Sequence, residues 1–356
     1  QAVSHQARRQ SAMSPDPLRS LKDVLKGSTG GSAVTASQLK AVFAKIDRGG
    51  TWTDERLEEL IASFPGSGGA EVDLEHFVDW LFAGNGAVSE GEKQKPIFFD
   101  MVHSNNAARI RIWMRLKGLQ DVIERRVVTY ADLQSPEFAA VNPLKKVPAF
   151  VNSAGDCIFE SYVILEYLED KYLGLGSVPS FTLPTPEARA YVQLLVRIHD
   201  LYIASPNCTQ PGFSHTQGSM YLAPYETKFC AASRCMDKPT RAAKLAEIWK
   251  QLTWLEEHCK GKYLAGDSIT VADMTWYPTT IFMEFMLPRA FGWPEIFKDP
   301  VHFPKLASWH QGLTANSIFG EVRQEIWDFW LAKEEEGQFE SIKGELTDEG
   351  FKWKYP

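Results

Sequence analysis

The sequence is poor in several features that would place it quickly. Of 356 residues five are cysteine, namely Cys157, Cys208, Cys230, Cys235 and Cys259. The count is odd, the spacing wide and no C-x-x-C occurs. Neither a disulfide framework nor a zinc ribbon is encoded, and a reducing compartment is the default. No stretch approaches the ~18 consecutive apolar residues of a membrane-spanning helix. The most apolar run of the C-terminal half, 281–287, is broken by Glu284. Basic charge is not in excess: 38 Lys+Arg against 45 Asp+Glu give a formal −7. That argues against nucleic-acid binding driven by phosphate contacts. No phosphate-cradling or dinucleotide loop occurs, because Gly66-x-Gly68-Gly69 follows no strand pattern. A repeat of fixed period is absent too. The chain opens on Gln1, and residues 1–15 hold His5, Arg8 and Arg9 but no acid. That pattern suits the end of an organelle-targeting segment.

What is present reads as globular and multi-domain. Hydrophobic residues make up 44% and charged residues 23%, enough for ordinary cores. At ~100–200 residues per domain the length implies two or three domains. Residues 1–36, rich in Ser, Gly, Ala and Gln, read as an N-terminal tail. Residues 37–82 carry helical spacing at Leu39/Val42/Phe43/Ile46, Leu57/Leu60/Ile61/Phe64 and Leu74/Phe77/Trp80/Leu81. With loops at 47–53 and 65–72, this unit resembles a paired EF-hand, and a small unrelated helical bundle fits the same spacing. Its ligands do not fit calcium: Arg56 and His76 stand where the bidentate Glu belongs, and the first half of the second loop has no carboxylate. No metal is expected. Trp52 and Val72 are the pair that would join the two loops.

A polar linker, 83–95, precedes a change of pattern. Short apolar runs at 96–102, 122–128, 147–151 and 157–159 read as strands, and 107–116 and 162–172 as helices. The fold class expected is α+β multi-domain. A thioredoxin-like β-α-β-α-β-β-α domain spans 96–176, and an all-α domain spans 185–335. The latter holds helical segments at 188–203, 241–258, 271–286, 303–314 and 322–332. Residues 336–356 read as an extended C-terminal tail lying on a surface. Cys157, on a strand, reads as buried and inert.

Four motifs occur in order: Ser104-Asn-Asn-Ala-Ala-Arg109, Asn142-Pro-Leu-Lys-Lys-Val147-Pro148, Glu160-Ser161 before ILEYLEDKY, and Ser268-Ile-Thr270-Val-Ala-Asp273. Together they resemble the cytosolic-type glutathione transferases, serine-type and theta- or phi-like, over 96–335. Thr270 and Asp273 make a capping box with Ile269 and Met274 as its staple, a structural feature.

The resemblance implies glutathione as co-substrate. A cis Val147-Pro148 turn would offer the Val147 main chain to its cysteinyl part. Lys146 would meet its glycine carboxylate. Ser161, as a helix cap, and Glu160 would hold its γ-glutamyl end. Basic residues are missing at Leu133 and Gln134, which thins the carboxylate cradle. Ser104, or Asn105 beside it, would stabilise the thiolate. His103 is a third choice, and the plain reading of Ser104 is a helix cap. The helical domain would hold a small electrophile among His199, Tyr202 and Phe213, with Asp200, Ser205, Gln210, His215 and Tyr221 nearby. Packing at the domain interface competes with that role.

Two functions follow. One is a glutathione-dependent transferase acting on an electrophile, as a homodimer. The other is a non-catalytic scaffold or linker subunit of a larger assembly, plastid included, suggested by the added module and the two tails. The expected compartment is cytoplasm or chloroplast stroma. Where the tails pack separates the two readings.

Overall fold

The computed structural model describes residues 94–204 and 216–348, and otherwise 33–35, 37, 38, 58, 61, 64, 72–74, 76, 77, 350, 351 and 353. The chain forms two compact units, 1–92 and 93–356, described separately.

In the first unit β1 (Ala33–Val34) pairs antiparallel with β2 (Val72–Asp73), Val34 facing Val72. Each strand leads into helix through a side-chain cap. Thr35 and Gln38 bond reciprocally at 2.9 and 3.3 Å, and the Asp73 carboxylate accepts from the His76 N–H at 2.8 Å. Val34, Phe64, Val72, Leu74 and Phe77 are buried, with Phe64 edge-on to Phe77 at 5.4 Å. The described partner of Val72 is therefore Val34, in the stretch read from sequence as tail. Trp52 and the loop at 47–53 lie outside the described residues.

The second unit begins with a four-stranded sheet. Its strands are β3 (Ile97–Asp100), β4 (Glu124–Val127), β5 (Ala149–Val151) and β6 (Cys157–Phe159), in the order β4-β3-β5-β6. The β3–β4 pair is parallel and the others antiparallel. Alternate side chains of β3 serve opposite faces. Phe98 joins Trp113, Ile164, Leu165 and Leu168, from α1 (Asn105–Lys117) and α3 (Ser161–Lys171). Phe99 joins Leu133 and Phe138, the latter from α2 (Pro136–Val141). Gly118 ends α1 in the left-handed region at φ 69, where a Cβ would also come within 2.9 Å of the Ser177 hydroxyl.

The helical half comprises α4 (Pro186–Ile198), α5 (Lys238–His258), α6 (Val271–Phe291), α7 (Pro304–Thr314) and α8 (Ser317–Glu335). α4 runs into a π turn, His199–Ile203, so the segment read as one helix changes its hydrogen bonding at His199. α6 is apolar nearly all round and packs against α1 of the sheet domain, which accounts for its burial. Its capping box forms as the spacing predicts. The Asp273 carboxylate also accepts from the Leu264 N–H at 3.0 Å and the Trp309 indole at 2.8 Å.

Residues 336–348 are not extended. They form α9 (Glu340–Lys343) and a 3-10 turn (Gly344–Thr347), and Phe339, Ile342 and Trp353 enter the main core. The cause is a buried ion pair. Arg241 of α5 meets Glu345 at 2.8 Å while donating to the carbonyls of Ser219, Leu222 and Met236. This segment packs on its own helical domain. Cys157 is exposed rather than buried, because β6 is the sheet edge and Cys157 its first residue.

Candidate functional site

The strand register gathers the motifs. Phe99 faces Ala149, so the chain before β5 lies beside the end of β3. Ala149 faces Phe159, so the chain after β6 lies beside the start of β5. Ser104, Val147-Pro148 and Glu160-Ser161, far apart in sequence, thereby meet at one end of the sheet. The Val147-Pro148 bond is cis, as expected. The loop before it is held by Asn142, whose side chain donates to the Lys146 carbonyl at 2.8 Å and accepts from the Leu144 N–H at 3.0 Å. Neither the N–H nor the C=O of Val147 makes a main-chain bond outside the ladder among the described residues. Lys146 is half-buried at the same turn.

Ser104 is the N-cap of α1, and its hydroxyl oxygen accepts from the Ala107 N–H at 3.2 Å. An oxygen that accepts still has its own proton to donate. Asn105, at the first helical position, is 6% exposed, and both carboxamide atoms lack a partner among the described residues. Buried polar groups are nearly always paired, so this one is committed to nothing within the fold.

At α3 the sequence reading is corrected in one respect. The N-cap position belongs to Glu160, at φ 71, and Ser161 is the first helical residue. Ser161 therefore presents a main-chain N–H of the first turn, which has no partner within the helix, rather than a capping hydroxyl. Glu160 is exposed and Ser161 buried.

Of the candidates in the helical half, His199 and Asp200 are bonded to each other, and several others lie outside the described residues. His199 is fully buried, bonded to Thr279 at 2.8 Å and to Asp200 at 2.8 Å, with Trp276 edge-on to its ring. Burial pushes the imidazole below its ordinary pKa, against the opposing pull of Asp200. Burial tends to raise Asp200, but the Arg109 guanidinium at 2.8 Å and the bond from His199 outweigh it and hold the carboxyl below the usual range. The three residues tie α1 to the end of α4, which is the packing role. Tyr202 is exposed at 49%. Phe213, Ser205, Gln210 and His215 lie outside the described residues.

Sequence reasoning missed two groupings. His103 stacks on Phe329 at 4.0 Å, meets Trp330 edge-on at 5.4 Å, and bonds the Tyr130 hydroxyl at 2.9 Å. Burial, and then the Arg111 charge, lower its pKa to about 4. The second is an ionic network under the loop that carries Ser104. Arg111 grips Asp100 at 2.7 Å and donates to the Val102 carbonyl at 2.7 Å, and it reaches Glu325 of α8 at 3.2 Å. Arg125 adds a second bond to Asp100 at 2.7 Å. No spacing in the sequence announces either, because each joins residues more than two hundred positions apart.

Comparison with known proteins agrees with this architecture. Residues 95–170 match the family Glutathione S-transferase, N-terminal domain, and residues 238–312 match Glutathione S-transferase, C-terminal domain. The chain is 27% identical over 191 residues to a probable maleylacetoacetate isomerase of Caenorhabditis elegans, covering 52% of this chain and 77% of that protein. It is 27% identical over 190 residues to glutathione S-transferase F10 of Arabidopsis thaliana, covering 53% and 78%. A glutathione S-transferase domain-containing protein of Marinobacter aquaeolei superposes with a TM-score of 0.50 at 23% identity, covering 63% of this chain and 99% of that one. A sheet domain and a helical domain in this order, each matching its family model, give the chain the architecture of the cytosolic-type glutathione S-transferases. No helix among the described residues is long and apolar enough to cross a membrane.

Proposed function

We propose that the chain binds glutathione at the end of the sheet where Ser104, Val147-Pro148 and Glu160-Ser161 meet, and activates its thiol for attack on a small electrophile. That convergence, with the uncommitted Asn105 carboxamide, carries the reading. The Val147 main chain pairs with the cysteinyl part as a sheet edge pairs with a peptide. Ser161 N–H and the α3 N-terminus take the γ-glutamyl carboxylate, Glu160 its ammonium, and Lys146 the glycine carboxylate. The Ser104 hydroxyl and the Asn105 amide donate to the sulfur. Each donor favours the thiolate and so lowers the thiol pKa. Holding the thiolate beside the electrophile supplies the remainder of the rate.

The isomerase names among the relatives favour one reaction class, in which glutathione is returned. The thiolate adds to an activated C=C bond, the resulting single bond rotates, and the thiolate leaves. The scaffold reading loses one of its supports, because residues 336–353 pack on their own domain.

Glutathione binding by calorimetry, with thiolate absorbance followed against pH, tests the proposal in the intact chain, Ser104→Ala and Asn105→Ala. We expect a depressed thiol pKa that rises by about one unit in at least one variant, a tenfold change in the ratio of thiolate to thiol at a given pH. No binding at millimolar glutathione would overturn it. Loss of free thiol during turnover would rule out the isomerase class in favour of conjugation.

A further inference from the structure

The loop between the 3-10 turn Gln217–Met220 and α5 brings two thiols together. Thr227 and Cys230 exchange main-chain bonds at 2.9 and 3.2 Å. A second 3-10 turn, Ala232–Arg234, then folds the chain back, with the Cys235 N–H donating to the Ala232 carbonyl. Both sulfurs end on one oxygen: Cys230 Sγ lies 3.8 Å and Cys235 Sγ 3.6 Å from the Ala231 carbonyl. Cys230 is buried in a small cluster with Leu222, Ala223 and Met236, and Cys235 packs on its rim, partly open to solvent. The loop ends are fixed, because Arg241 holds the Leu222 and Met236 carbonyls and Met236 N–H bonds Ala223.

We propose that Cys230 and Cys235 are a thiol–disulfide exchange site that takes the disulfide of a small thiol, such as oxidised glutathione, and closes on itself. Cys235, the accessible sulfur, loses its proton and attacks the disulfide, releasing one small thiolate and forming a mixed disulfide. Cys230 then loses its proton and attacks the Cys235 sulfur, releasing the second small thiolate. One Cys230–Cys235 bond forms, two protein thiols are oxidised and one small disulfide is reduced to two thiols. The surroundings suit a lasting bond rather than a catalytic one. Burial, then Cys230 and Glu226, hold the Cys235 thiol above its ordinary pKa. A thiol held above its ordinary pKa gains no stabilisation as thiolate, so its reduced form is not favoured as it is in the strongly oxidising pairs. The odd, scattered cysteine count hid this pair, because C-x4-C is no recognised motif in the sequence alone.

The site is independent of the transferase reading. The full chain is equilibrated in buffers from reduced to oxidised glutathione, alkylated under denaturing conditions and digested with trypsin. Cleavage after Lys228 and Arg234 separates the two cysteines, so a disulfide leaves two peptides joined. We expect the joined pair to grow with oxidation, and both thiols to lose alkylation together. Cys235→Ser should abolish the joined pair. It should also leave Cys230 largely alkylatable. Separate glutathione adducts on each cysteine, crosslinks to any other cysteine, or thiols that stay reduced at the oxidised end would each overturn it.

Discussion

The Asn105 carboxamide is buried without a hydrogen-bond partner among the described residues, and the imidazoles of His103 and His310 each keep one ring nitrogen without one. For the histidines the consequence is acid sensitivity. Burial, and then Arg323, lower His310 to about 3 against an ordinary 6.5, and His103 stands at about 4. His310 is therefore neutral, and its 3.8 Å approach to Glu284 is not an ion pair, since Glu284 is already engaged by Arg323 at 2.9 Å. In the unfolded chain these rings take protons near 6.5; in the fold they do not. The unfolded state binds more protons in the window from 6.5 down to about 4, so stability falls as pH falls through it. The slope is at most about 1.4 kcal/mol per pH unit for each ring. Urea midpoints should drop between pH 7 and 5. His310→Phe, which keeps the stack on Phe297 at 4.5 Å, should make that drop shallower. Equal slopes in the two proteins would mean His310 is protonated inside the fold.

At the scale of elements, α6 shows how a local signal acquires a tertiary role. Thr270 and Asp273 cap the helix as their spacing requires. The same carboxylate takes the Leu264 N–H and the Trp309 indole, and so fixes the loop before α6 and the helix α7 to the start of α6. Asp273→Ala would strand four donors, the Thr270 hydroxyl among them. We expect a loss of about 3 kcal/mol or more, against about 1 kcal/mol for Thr270→Ala, read from urea unfolding. Similar losses would reduce Asp273 to a simple cap. The sheet contributes differently. Its strands are short, and it is their register rather than their length that brings the three motif segments to one end.

For the whole second unit, the helical half is closed by its C-terminal segment. Glu345 is 4% exposed and Arg241 fully buried. Removing Arg241 leaves a buried carboxylate unpaired and three carbonyls without their donor. Arg241→Ala should cost about 3–5 kcal/mol and expose residues 336–353 to limited proteolysis. Glu345→Gln should cost clearly less, because Arg241 keeps its carbonyl partners. Equal effects would show that the charge of Glu345, and not the carbonyl cradle, is what Arg241 needs. The network of Asp100, Arg111, Arg125 and Glu325 plays the matching part between the sheet domain and α8, beneath the loop that carries Ser104.

Much of this was legible in the amino-acid order. Strands 157–159 and 147–151, the helix after Glu160 and the cap at Thr270 are written in local periodicity and short motifs, which act over a few residues, whereas the cis turn followed from the family resemblance. The meeting of Ser104, Val147-Pro148 and Glu160-Ser161 followed from the resemblance those motifs carry. Other features were decided only by tertiary structure. The sequence offered His199 both a small-molecule site and packing at the domain interface, and could not say that its ring meets Thr279. The charged segment after residue 335 looked extended because its partner, Arg241, lies about a hundred positions earlier. The sequence determined which elements form and which motifs they carry. Burial and long-range charge pairing, which depend on what the fold places opposite each side chain, decided which polar residues are structural and which are left uncommitted for a ligand.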